Sequence, residues 1–211
     1  MRKFPTLGVV ALTVLLFSPT ALLAGHDMKA GKAPVTTPFD QGSMEFQFAV
    51  GAFSSFGNFS DIRPHIVDVD VSLRLGWMLT SPSGDGCLRG NYEFLTELIG
   101  AAVVKGPGNG FGGLTLVLRY NFVQPDVRCV PYFQIGVGGL YNDVHKSHPQ
   151  RLFGSAFEFN LQAGFGVRCF VAERCAIFFE ADYRHISNAG LSHRNAGMNS
   201  AGGYIGASYF F

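Results

Sequence analysis

The segment from Val67 to Trp77 alternates without a break between apolar residues and polar or charged ones. Because successive side chains of a β-strand point to opposite faces, this pattern predicts a strand with one apolar face and one charged face. The apolar face comprises Val67, Val69, Val71, Leu73, Leu75 and Trp77, and the other face comprises Asp68, Asp70, Ser72 and Arg74. Such a strand fits a barrel that has lipid outside and polar groups inside.

The same alternation returns in seven other segments of the chain. They cover residues 45–52, 92–98, 114–122, 133–142, 157–168, 177–187 and 203–211. An even number of strands of about ten residues is the pattern of the smallest outer-membrane barrels. No segment after the N-terminal apolar stretch has the roughly 20 apolar residues of a membrane-spanning helix. The sequence therefore predicts an all-β fold, an eight-stranded antiparallel transmembrane β-barrel over residues 44–211.

The faces predicted to point inward carry charges of both signs. A narrow barrel lets such groups pair by hydrogen bonds, whereas unpaired burial would be prohibitive. An eight-stranded barrel is filled by its own side chains, so we expect no pore. A soluble β-sandwich with these faces in water is the alternative. The inward charged residues are Asp68, Asp70, Arg74, Glu93, Glu97, Arg119, Glu158, Arg168, Glu180, Asp182 and Arg184.

Both ends of the chain point to export. Arg2 and Lys3 precede a short apolar stretch that leads to small residues at Ala24, which predicts a signal peptide over residues 1–24. An uncleaved membrane anchor is the alternative. Residues 25–43, with two prolines, predict a flexible lead-in. The aromatic residues and glycine of the last segment, which ends at Phe211, resemble the final strand of bacterial outer-membrane barrels. We therefore expect the outer membrane as the location.

Charge and cysteine content narrow the partners. The formal net charge is +1 and no basic stripe is present, which argues against a nucleic-acid partner. The four cysteines of an exported chain favour disulfides over a metal site, because their spacing lacks paired short motifs. Cys169 and Cys175 flank a tight turn and would bridge across a hairpin. Cys87 and Cys129 lie beside other turns and would meet at the same rim.

His185 and Ser187 stand two residues apart on the apolar face of the seventh segment. Residues i and i+2 of a strand are about 7 Å apart at Cα, so their side chains can meet. A neighbouring imidazole is the usual base that activates a serine hydroxyl. Residues 188–202 predict an outer loop, which sets the pair beside the outer leaflet, where lipopolysaccharide is the lipid. The alternative is a pair of interfacial polar residues with no catalytic role.

The stretch from His185 to Leu191, followed by Asn195 and Gly197, resembles the lipid A 3-O-deacylase (PagL) family. The match covers about the last quarter of the chain, and the rest agrees in architecture. The resemblance implies an eight-stranded outer-membrane barrel whose serine hydrolase site faces the lipid and removes an acyl chain from lipid A. It implies no metal or organic cofactor, and it allows a homodimer.

The resemblance assigns Ser187 as the nucleophile and His185 as the base. The acid of the family maps onto Asn199, which is a departure, because an amide orients the imidazole but does not stabilise its charge. A non-enzymatic structural or adhesive barrel that has lost its acid is therefore the rival function. For the oxyanion and the substrate we expect Asn188, Gly190 and Arg194, although the glycine also suits a tight turn. Basic residues in the outer loops suit the phosphates of lipid A, although they also suit a solvated loop surface.

Overall fold

Eight antiparallel strands form a closed barrel. The structure is a computed structural model that describes residues 37–57 and 59–211. The strands are β1 Met44–Phe56, β2 Val67–Met78, β3 Asn91–Lys105, β4 Gly110–Asn121, β5 Cys129–Asn142, β6 Phe157–Ala172, β7 Cys175–Ser187 and β8 Met198–Phe210. Each strand pairs with the next, and β1 pairs with β8. The predicted fold is confirmed, whereas the signal peptide of residues 1–24 lies outside the described residues.

The connections define two ends of the barrel. The turn end comprises residues 37–43, 79–90, 122–128 and 173–174 together with Phe211. The loop end comprises residues 57, 59–66, 106–109, 143–156 and 188–197. Two short 3₁₀ helices, Gly86–Leu88 and Val144–Lys146, lie in these connections. No helix in the described ranges has the length and hydropathy to cross a bilayer.

Large apolar side chains cover the outside of the barrel wall. Every strand contributes to this surface, for example through Phe48, Leu116, Phe133 and Phe179, each of which is about half exposed. Contiguous apolar surfaces of this extent are rare on soluble proteins. The wall is therefore built to contact lipid, which rules out the soluble sandwich.

Charged side chains fill the middle of the barrel. The Arg74 guanidinium contacts Glu97 at 2.7 Å and both carboxylate oxygens of Glu180 at 2.9 and 2.7 Å. Arg184 contacts one carboxylate oxygen of Asp68 and one of Asp70. All of the residues predicted to carry inward charges are buried. The interior is a network of ion pairs, as the alternation predicted.

Apolar clusters close the barrel at both ends. At the loop end the cluster comprises Ile66, Phe111, Leu140, Val144, Leu152, Phe153, Ile186 and Met198. At the turn end Phe39 packs with Met78, Val130 and Phe210. Residues 37–43 therefore differ from the flexible lead-in predicted over residues 25–43, because the apolar Phe39 side chain is buried in the barrel mouth. Residues 25–36 lie outside the described part.

The disulfide differs from both predicted pairings. Cys129 faces Cys169 in the β5–β6 register, with their Cα atoms 4.0 Å apart, and these two residues are bonded. The β7 partner of Cys169 is Ile177, so Cys175 lies diagonal to Cys169 and not opposite it. Cys87 lies in the exposed Gly86–Leu88 turn, and both it and Cys175 are free thiols. The predicted pairings were wrong because the alternation shows which residues share a face of the sheet but not which residue lies directly opposite on the next strand.

Candidate active site

His185 and Ser187 lie at the loop end of β7, on the lipid-facing wall, and both are half buried. Their neighbours in β6 are Leu161, opposite His185, and Phe159, opposite Ser187. These apolar side chains flank the pair on one side. The location on the outer wall agrees with the alternation of β7.

A continuous hydrogen-bonded chain runs from Ser187 through His185 to Asn199. The Ser187 Oγ atom lies 3.0 Å from Nε2 of His185. The Nδ1 atom of the same ring lies 2.7 Å from Oδ1 of Asn199. The three side chains have the order of a nucleophile, a base and an orienting group.

The register between β7 and β8 brings Asn199 to this chain. Asn199 is directly opposite His185 in that register and opposite Phe56 in β1. Sequence alone predicts residues 188–202 as a loop, but β8 begins at Met198 because its first residues pair with both neighbouring strands. Asn199 is therefore held by backbone pairing on both sides.

The amide of Asn199 selects one tautomer of His185. An amide oxygen only accepts, so it requires that Nδ1 carry the proton. The lone pair is then on Nε2, and it accepts the hydroxyl proton of Ser187. This is the tautomer in which an imidazole serves as a base toward serine.

Tyr183 adds a second donor to the same amide oxygen. Its hydroxyl lies 2.8 Å from Oδ1 of Asn199. Sequence reasoning placed Tyr183 on the lipid-facing side with His185 and Ser187 but gave it no role. The shared parity of these three residues was the available signal. Their convergence on Asn199 depends on the strand register.

Gly197 lies directly beside the side chains of His185 and Ser187. Its φ of +68° lies in the left-handed region that favours glycine. A Cβ atom at this position would lie 3.1 Å from Cε1 of His185 and 3.4 Å from Cβ of Ser187. Glycine thus allows the loop to approach the imidazole closely.

In the structure Asn188 and Gly190 take part in the fold of the β7–β8 loop, and the φ of +86° at Gly190 agrees with the tight-turn alternative. The Asn188 side chain is buried, and its Oδ1 accepts the N–H of Gly190 at 3.1 Å. The N–H of Asn188 donates to Asn195 at 2.9 Å, and its Nδ2 donates to the Arg194 carbonyl at 3.0 Å. These groups fold the β7–β8 loop, so their donors are already engaged.

Arg194 likewise holds the loops together. Its guanidinium donates to three backbone carbonyl groups of the β5–β6 loop, at His145, Ser147 and Gln150. Arg194 therefore links the β7–β8 loop to the β5–β6 loop. The prediction that Arg194 contacts the substrate stays a prediction, and in the structure its NH1 and NH2 groups are engaged by loop carbonyls.

Ala189 lies between Asn188 and Gly190, in the stretch where the sequence predicts backbone N–H donors for an oxyanion. It is one of two non-glycine residues with positive φ, at +53°, in the described ranges. No backbone or side-chain group of these ranges accepts its N–H. Ala189 follows Ser187 by two residues, and a strained turn with an available N–H beside a serine hydroxyl is a typical source of an oxyanion donor.

In residues 37–57 and 59–211, no three His, Cys, Asp or Glu side chains are arranged to hold an ion. The side chains that the structure brings together here are a hydroxyl, an imidazole and an amide.

Fold and site together define an outer-membrane β-barrel with a lipid-facing serine–histidine pair. The model of the family "Lipid A 3-O-deacylase (PagL)" matches residues 69–208, which is more than half of the chain and includes all three side chains of the hydrogen-bonded chain. The chain belongs to this family. The apolar wall and the family together place the protein in the outer membrane.

Solved structures support the fold. The crystal structure of the outer-membrane enzyme PagL is similar at 22% identity, covers 77% of this chain and 97% of that chain, and has a TM-score of 0.51. Neisserial surface protein A is similar at 14% identity, covers 81% of this chain and 100% of that chain, and has a TM-score of 0.52. No curated protein matches the sequence.

Proposed function

We propose that this protein is a serine esterase that removes an ester-linked acyl chain from lipid A in the outer leaflet. The observation that carries the proposal is the chain Ser187–His185–Asn199 on the lipid-facing wall, with distances of 3.0 and 2.7 Å. Lipid can reach this site from the side, whereas the barrel interior is filled. Family membership supports the substrate class.

In the first half of the reaction, Ser187 Oγ attacks the carbonyl carbon of the ester. His185 Nε2 takes the hydroxyl proton as the new bond forms and then gives it to the departing sugar oxygen. The acyl group remains on Ser187 as an ester, and the sugar leaves as an alcohol. The Ala189 N–H is the donor that we assign to the developing oxyanion.

In the second half, water attacks the acyl-serine. His185 Nε2 takes a proton from the water and returns it to Ser187 Oγ, which restores the hydroxyl and releases the fatty acid. During both halves His185 Nδ1 keeps its proton and donates it in a hydrogen bond to Oδ1 of Asn199. The amide keeps the ring oriented but leaves the imidazolium without a counter-charge, so we expect a slow native enzyme.

Arg63 supports binding of a phosphorylated headgroup. It is an exposed cation at the loop end and lines a recess of about 90 Å³. The same recess is bordered by Phe56, Gly197 and Asn199. A guanidinium offers a forked donor to phosphate. The headgroup would thus lie above the wall while its acyl chain lies along it.

The test is mass spectrometry of lipid A from cells that express the full chain or its Ser187→Ala variant. We expect the native chain to shorten lipid A by one acyl chain, and we expect the variant to lose about 10²-fold in rate. Ser54→Ala is the matched control, since Ser54 also faces lipid and bonds a histidine, His65, at 2.8 Å. An identical acylation pattern with native chain, variant and empty vector would contradict the proposal.

A non-enzymatic barrel is the second candidate, because Asn199 replaces the acid of the family. It predicts unmodified lipid A with the native chain. If the native chain is inactive, the substitution Asn199→Glu distinguishes two cases. Deacylation by the variant would mean that the scaffold is competent and lacks only its acid, whereas no deacylation would mean that the barrel does not act on lipid A.

Adding a side-chain atom at Gly197, beside His185, should slow the reaction. We expect Gly197→Ala to lower the deacylation rate by about tenfold or more, because the new Cβ displaces the His185 ring. Gly86→Ala is the control: it has a similar φ of +60°, open space around its Cβ, and a position at the turn end. Equal losses in both variants, measured with purified protein, would assign the effect to backbone strain alone.

A further inference from the structure

We infer that Tyr183 is a positioning residue that fixes the orientation of the Asn199 amide and thereby the tautomer of His185. The inference rests on the proposed function. It arises from the convergence of two donors, His185 Nδ1 at 2.7 Å and the Tyr183 hydroxyl at 2.8 Å, on one amide oxygen.

An asparagine at this position poses a problem that a carboxylate does not. Both oxygens of a carboxylate accept, so either one serves the imidazole. An amide has an accepting end and a donating end. If the amide turned over, its NH₂ would face Nδ1, the ring proton would move to Nε2, and Nε2 would donate to Ser187. The base would be lost.

The phenol opposes this rotation. Among the described residues, Tyr183 has no hydrogen-bond acceptor other than Asn199 Oδ1. In the reversed amide the NH₂ group could donate to the phenol oxygen, but the phenol O–H would lose its acceptor. That loss is costly on a wall that contacts lipid, because few water molecules are present there to replace the missing partner.

Neighbouring groups hold the three partners in place. Phe56 is opposite Asn199 in register, and its ring packs against Tyr183 with the centroids 6.1 Å apart. Tyr183 and His185 belong to one strand, and Asn199 is paired with strands on both sides. The phenol, imidazole and amide therefore form one unit on two adjacent strands, β7 and β8.

The first test needs no turnover. The full chain, labelled with ¹⁵N-histidine and held in detergent micelles, should show a His185 ring with Nδ1 protonated and Nε2 bare; the signal is assigned by its loss in His185→Gln. In Tyr183→Phe we expect the tautomer with Nε2 protonated to appear. An unchanged tautomer in Tyr183→Phe would overturn the inference.

The second test is a double-mutant cycle on the rate of deacylation. Tyr183→Phe should lower kcat by about tenfold, equivalent to about 1.4 kcal/mol, with little change in KM. In the Asn199→Asp background the same change should lower kcat by less than about twofold, because both oxygens of a carboxylate accept a hydrogen bond. Equal losses in the two backgrounds would assign Tyr183 a packing role and contradict the inference.

Tyr141→Phe is the matched control. Tyr141 is an exposed tyrosine near the loop-end terminus of β5, where it packs on Phe157 and not on the site. It should change neither the tautomer nor kcat. If no variant deacylates lipid A, the proposed function fails, and the ¹⁵N measurement still decides the role of Tyr183.

Discussion

Replacing Asn199 with glutamate is expected to raise the rate of deacylation by about 10³-fold. The imidazole of His185 becomes a cation as it takes the Ser187 proton. Its Nδ1 atom lies 2.7 Å from Oδ1 of Asn199. A carboxylate there would stabilise that cation in the low dielectric of the wall, whereas the amide only orients it. Loss of the acid costs about 10⁴ in a serine triad, and its restoration should recover most of that factor.

The matched control is Asn199→Gln, which has the length of glutamate without its charge. It should not exceed the native rate, and both variants are measured by release of fatty acid from purified lipid A. A similar gain from glutamine would show that reach, and not charge, limits the native site. A native chain that is inactive beside an active glutamate variant would establish the rival function, a barrel that retains a competent scaffold.

The largest expected loss of stability follows from Arg74→Met. Arg74 is fully buried and neutralises Glu97 and Glu180 through contacts of 2.7 to 2.9 Å. Removal of one member of a buried ion pair leaves an uncompensated charge and costs about 3–5 kcal/mol. The free energy of unfolding in urea, measured in phospholipid vesicles, should fall by that amount.

Arg128→Met provides the comparison. Arg128 is an exposed arginine in the turn between β4 and β5. Its replacement should change the free energy of unfolding by no more than about 0.5 kcal/mol. Equal effects of the two substitutions would mean that the interior network adds nothing to stability beyond side-chain volume.

The alternation of apolar and charged residues was sufficient to predict the barrel. Asp68, Asp70 and Arg74 had to face an interior because their neighbours could face only lipid, and the structure places them there. Each side chain of a strand can point to one of only two faces, so the many residues of a long strand determine together which face points inward. The same rule put His185 and Ser187 on the outer wall.

The alternation did not predict which residues lie opposite each other on neighbouring strands. Parity could not show that Cys129 lies opposite Cys169, or that Asn199 lies opposite His185. Both depend on register, which turn lengths and bulges set. The Tyr183 contact and the loop hydrogen bonds of Asn188 were out of reach for the same reason. Asn199 was found only through family resemblance.

The outward position of His185 and Ser187 has a consequence for how substrate is supplied. A lipid that diffuses laterally meets the site by a search in two dimensions and need not leave its monolayer. The quantity that sets saturation is then the surface mole fraction of substrate, and not its bulk molarity. Dilution of lipid A with detergent would slow the enzyme even at constant total concentration. The physical state of the surrounding leaflet, as much as the three side chains, thus becomes part of the kinetics.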